Sequence, residues 1–120
     1  MAQVTICFDL DGVLCSQTDG DYERAIPNWD AIAVANQLFT LGARIIVHTS
    51  RFMGRTNDPH EAHRVGFDVT SMQLRSWGVQ YHELILGKPR YDIVVDDRAL
   101  FFTGDWSEIR RALLARVQGR

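Results

Sequence analysis

The chain predicts an α/β fold with a mainly parallel sheet, and two observations carry that expectation. Four short apolar runs, rich in β-branched residues, read as buried strands, with amphipathic stretches of helical period among them. The polar residues able to do chemistry follow the C-terminal ends of those runs, the edge at which open α/β sheets bind ligands. The length of 120 residues suits one domain, expected over 1–120.

Val4-Thr5-Ile6-Cys7-Phe8 reads as the first strand and ends at Asp9-Leu10-Asp11-Gly12. Residues 13–27 carry Asp19-Gly20 near their middle, a hairpin-turn signal, and predict a hairpin flap. Asn28 or Asp30 can cap a helix that runs to about Leu41 and stops at Gly42. Ile32, Ala35 and Phe39 share one face of it. Arg44 to His48 is the second strand, ending at Thr49-Ser50-Arg51. Residues 51–67 look polar and broken by Gly54, Pro59 and Gly66. A short helix then starts at Thr70 or Ser71 and stops at Gly78. Tyr81 to Leu86 is the third strand and Ile93-Val94-Val95 the fourth, ending at Lys88 and at Asp96-Asp97 respectively. Asp105 with Glu108 has the form of a capping box for a last helix, with Ile109, Ala112, Leu113 and Val117 facing the core. Trp29, Trp77 and Trp106 are expected as core or helix-packing residues.

The composition narrows the function. A hydrophobic fraction of 46% supports an ordinary globular core, and a net charge of −2 gives no reason to expect a nucleic-acid partner. No apolar run approaches bilayer length, and the first residues lack the pattern of a signal peptide. Cys7 and Cys15 lack metal-ligand spacing and read as reduced thiols, so a cytoplasmic protein is expected. Of 13 basic residues, 12 are arginine, and Lys88 is the one lysine. A compact ammonium does what a guanidinium does not. His60 and His63, three apart, have no further ligands and do not make a zinc site.

If the strands are parallel neighbours, Asp9, Asp11, Thr49, Lys88, Asp96 and Asp97 converge on one crevice. Four carboxylates there repel one another, and a hard cation resolves the repulsion. Magnesium favours a few carboxylates together with waters and phosphate oxygens. Lys88 adds positive charge and Thr49 a hydroxyl donor, which suits phosphoryl transfer.

Asp9-Leu10-Asp11-Gly12-Val13 after an apolar strand resembles the first motif of the haloacid dehalogenase superfamily. Thr49 after Ile45-Ile46-Val47-His48 resembles the second, Gly87-Lys88-Pro89 the third, and Asp96-Asp97 after Ile93-Val94-Val95 the fourth. The longer strings Val47-His48-Thr49-Ser50-Arg51, Leu86-Gly87-Lys88-Pro89 and Val95-Asp96-Asp97-Arg98-Ala99 are similar to small phosphatases of capsule polysaccharide biosynthesis. The resemblance spans Val4 to about Leu100. It implies a Rossmann-like fold with helices flanking the sheet, and hydrolysis of a small phosphomonoester such as a sugar phosphate. Asp9 would be the nucleophile that forms an aspartyl-phosphate, and Asp11 the general acid and base. Thr49 would hold a phosphoryl oxygen and Lys88 would balance charge. Asp9, the Asp11 carbonyl, Asp96 and Asp97 would hold Mg²⁺, with Ser50 and Arg51 beside the substrate.

Only Gly12 to Pro27 separates the first motif from the first helix, which leaves no room for a cap domain. Specificity then falls to the flap, to Arg51, Arg55 or Arg64, or to a neighbouring subunit. Capless relatives often form oligomers, so a homo-oligomer is an expectation. A phosphotransferase with the same aspartate, or a non-catalytic interaction domain on the same fold, are the alternatives. A kinase is disfavoured by the lack of a Gly-rich phosphate loop.

Overall fold

The computed structural model describes residues 3–119. Three parallel strands form the sheet in the order β1-β2-β3: β1 is Thr5–Phe8, β2 is Arg44–His48 and β3 is Glu83–Ile85. Phe8 lies opposite Val47, and His48 opposite Ile85. Four helices accompany them among the described residues: α1 (Trp29–Thr40), α2 (Met53–Thr56), α3 (Pro59–Ser76) and α4 (Trp106–Val117). The α/β expectation with a parallel sheet therefore stands.

The helix ends follow local chemistry. Asn28 caps α1 by accepting from the Ala31 amide, and Asp105 caps α4 by accepting from Ser107 and Glu108. Gly42 and Gly78 lie past the ends of α1 and α3 at φ of 97° and 72°, a backbone region that favours glycine. The core gathers Phe8, Leu10 and Leu14 with Ile32, Ala35 and Leu38 of α1, Ile45 and Val47 of β2, and Leu74 of α3. Trp106 and Ile109 anchor α4 to the same core, and α4 packs on α1.

Several expectations need correction. The 51–67 stretch is mostly helical, because Asp58 caps α3 and Pro59 sits at its first turn, where a missing N–H costs nothing. The helix expected to begin at Thr70 or Ser71 is the second half of α3. Gly66 does not break it. A Cβ there would collide with the Phe52 ring and come within 2.7 Å of Leu86, so the glycine lets α3 approach its neighbours. The flap turns at Asp19 and Gly20, both at positive φ, yet has no strands. A lone antiparallel bridge between Cys15 and Pro27 closes its base instead. Trp29 is 61% exposed, and Ala112 is exposed.

The fourth strand does not form. Residues 89–105 are all exposed, Ile93 by 82% and Val95 by 97%. Strand propensity is realised only by pairing, and this run has no partner strand among the described residues. β1 is consequently an edge strand.

Gly66→Val is expected to destabilise the fold by about 1–3 kcal/mol through overpacking against Phe52 and Leu86. Gly66→Ala should lose less, since better helix propensity returns up to about 1 kcal/mol. Urea midpoints of the two variants check the order.

Candidate functional site

Asp9, Thr49 and Lys88 stand just beyond the C-terminal ends of β1, β2 and β3. Asp9 is partly exposed, and its Oδ1 accepts from the Leu10 amide at 2.8 Å. Lys88 Nζ lies 3.6 Å from that same oxygen and 5.4 Å from the centre of the Tyr91 ring. Burial alone would lower the Lys88 pKa. The Tyr91 hydroxyl and the Asp9 carboxylate outweigh it and hold the ammonium above its ordinary range. Burial, then the charge on Lys88, holds His48 below the usual imidazole value, which favours its neutral form.

Thr49 is buried, and its backbone joins two strand ends: its amide donates to the Ile85 carbonyl and its carbonyl accepts from the Lys88 amide. Its Oγ1 accepts from the Arg51 amide at 3.1 Å. Ser50 is half-buried, its carbonyl taking the Met53 amide at the start of α2.

Arg51 is 2% exposed. Its Nε and Nη2 donate to the two Asp11 oxygens at 2.8 and 2.9 Å, and its Nη1 donates to Gln73 of α3 at 2.6 Å. The guanidinium also lies over the Tyr22 ring, 4.8 Å from its centre. Gln73 in turn donates to the Tyr22 carbonyl, and the Tyr22 hydroxyl accepts from the Phe52 amide. Cys15 lies within this cluster, its thiol pushed up to about 12 by burial and then by the Asp11 charge. Its form at neutral pH is therefore the thiol.

The sequence-derived residues thus fall into two groups. Asp9, Asp11, Thr49, Ser50, Arg51 and Lys88 belong to one connected patch at the sheet edge. Asp96 and Asp97 do not reach it. Both lie on the exposed 89–105 segment, where Asp96 accepts from the Arg98 amide in a local turn. Among the described residues, no three His, Cys, Asp or Glu side chains gather so as to hold a metal. In this arrangement the acids do not fit a magnesium ion: Asp9 faces an ammonium, and both Asp11 oxygens are taken by Arg51.

The arginines expected to reach a substrate are also engaged. Arg51 is committed to Asp11 and Gln73, Arg55 to the Gly20 carbonyl and the Phe52 ring, and Arg64 to Glu61. The role of Gln73 is not legible in the chain, because a glutamine inside a helix carries no signal until the fold brings it to Arg51. Arg90, likewise unremarked in the sequence, helps line a cavity of about 370 Å³ with Met53, Gly54, Asn57 and Pro89, next to Lys88. His60 is exposed, and His63 packs on Phe67 with ring centres 4.7 Å apart.

No family model matches this chain, and no curated protein matches it. Its fold is similar to the crystal structure of a target protein from Vibrio cholerae, with a TM-score of 0.75 at 22% identity. The match covers 92% of this chain and 99% of the other. At that identity the likeness is one of fold.

Two outcomes follow from the charges. Arg51→Ala leaves Asp11, with a side chain 14% exposed, beside an empty space, and should cost about 3–5 kcal/mol in urea unfolding. The double change to Arg51→Met with Asp11→Leu should recover much of that loss. Lys88 binds its proton more tightly folded than unfolded, so its contribution is full below the unfolded value near 10.5 and fades as pH rises through the higher folded value. The stability gap between wild type and Lys88→Met should therefore narrow as pH rises into the strongly alkaline range.

Proposed function

We propose that this chain is an aspartate-dependent phosphatase of the haloacid dehalogenase type, acting on a small phosphomonoester. The observation that carries the reading is the Asp9–Lys88 pair, 3.6 Å apart at the C-terminal edge of a parallel sheet. That edge is where such sheets take ligands. An ammonium there can neutralise an incoming phosphate, and the partly exposed Asp9 carboxylate is open to a substrate arriving from solvent.

In this reading an Asp9 oxygen attacks phosphorus as the ester P–O bond breaks, leaving an aspartyl-phosphate and an alcohol. Water then attacks phosphorus, releasing inorganic phosphate and restoring the carboxylate. Lys88 offsets charge at both stages. Asp11 supplies the proton to the leaving oxygen and removes one from water. Both its oxygens accept from Arg51, so proton donation requires one of those bonds to open. Arg51 accordingly sets the position of the acid–base group.

A panel of phosphorylated metabolites, sugar phosphates first, assayed with magnesium tests the reading. Asp9→Asn should lower phosphate release by at least about 1,000-fold, with the fold intact by circular dichroism. Equal release by the two proteins would remove Asp9 as nucleophile. Added acceptor alcohols separate hydrolysis from transfer, since a phosphotransferase would give the new ester in place of phosphate.

A further inference from the structure

Arg90 lies against α2, a few residues beyond the end of β3. The cavity of about 370 Å³ that it lines is closed on its other sides by Met53, Gly54, Asn57 and Pro89. A Cβ built on Gly54 would stand 2.8 Å from the Arg90 Nη1, so the missing side chain at position 54 makes room for the guanidinium. Arg51 meets Asp11, Arg55 the Gly20 carbonyl and Arg64 Glu61. Arg90 differs from all three. Among the described residues, no carboxylate lies within ion-pair reach of it and no acceptor takes its donors. A guanidinium carries five N–H donors and no acceptor, and its planar fork matches a carboxylate or a phosphate. The Asn57 side-chain amide adds a further donor on the same wall.

Lys88 stands two residues before Arg90. Two residues of chain span at most about 7 Å, so one small molecule can meet both cations. The Lys88 ammonium already faces Asp9, whereas the Arg90 charge is left without a counter-charge.

We propose that Arg90, with Asn57, forms a second anion subsite, and that the substrate is a phosphomonoester carrying another anionic group, a carboxylate or a further phosphate, a short carbon chain away. The inference deepens the phosphatase reading and rests on it for the ester phosphate at Lys88. The subsite itself stands on the cavity and the unpaired guanidinium. A neutral sugar phosphate leaves Arg90 unused, and a phosphorylated sugar acid does not.

Three probes of equal carbon number separate the cases: glycerol 3-phosphate has the ester phosphate alone, 3-phosphoglycerate adds a carboxylate, and propanediol bisphosphate adds a phosphate. Binding is read by NMR titration of isotope-labelled Asp9→Asn protein, following the Lys88 amide and the Arg90 Nε–H, so that turnover does not intervene. The two probes with a second anion should bind about 10- to 100-fold more tightly than glycerol 3-phosphate, and the tighter of them names the second group. Arg90→Gln should abolish that advantage and leave glycerol 3-phosphate binding unchanged. Gly54→Leu keeps the arginine but fills the space its guanidinium occupies, and should abolish the advantage too. Both positions are exposed, so both variants should fold, which circular dichroism checks. Equal binding of all three probes, an advantage that survives Arg90→Gln, or no shift at Arg90 with any probe would overturn the subsite. An Arg90-dependent advantage in a wild type that hydrolyses no phosphomonoester would remove the phosphatase reading and leave the subsite standing. Hydrolysis with a KM indifferent to Arg90→Gln for esters with and without a second anion would do the reverse.

Discussion

The buried guanidinium of Arg51 ties together parts of the chain that would otherwise be independent. It bonds the loop after β1 through Asp11, the middle of α3 through Gln73, and the flap through the Tyr22 ring. Its own amide bonds the hydroxyl of Thr49 at the end of β2. A buried arginine is tolerable only when its donors are filled and its charge is matched, and Asp11 meets the second demand with both oxygens. The geometry of the candidate site therefore depends on one ion pair that touches neither Asp9 nor Lys88.

The same pair shapes what the flap can do. Tyr22 packs on Phe52, Arg55 reaches the Gly20 carbonyl, and Gln73 reaches the Tyr22 carbonyl. These contacts hold residues 20–22 down on α2 and α3, although no strand pairing stiffens the flap. The candidate site therefore has a fastened rim, and a cavity lined by Arg90 and Asn57 lies beside Lys88.

Much of the site is legible in the chain because its parts are local. Asp9, Thr49 and Lys88 each follow a short apolar run, and the ends of such runs are readable before any fold is known. Asn28 and Asp105 announce α1 and α4 because a cap bonds amides two or three residues away. Residues 51–67 are harder. Gly66 and Pro59 read as breakers, yet Pro59 opens α3 and Gly66 serves a close approach to Phe52 and Leu86 that only packing reveals.

By itself, the sequence determined an α/β chain with a parallel sheet, the first and last helices with their caps, and three polar side chains at three strand ends. Tertiary structure decided what partners those residues have. Asp11 meets Arg51 forty positions away, and Gln73 joins them from α3. Whether Ile93-Val94-Val95 becomes a strand was decided there too. A helix closes its hydrogen bonds within one turn, whereas a strand exists only when another strand, remote in sequence or on another chain, offers its edge.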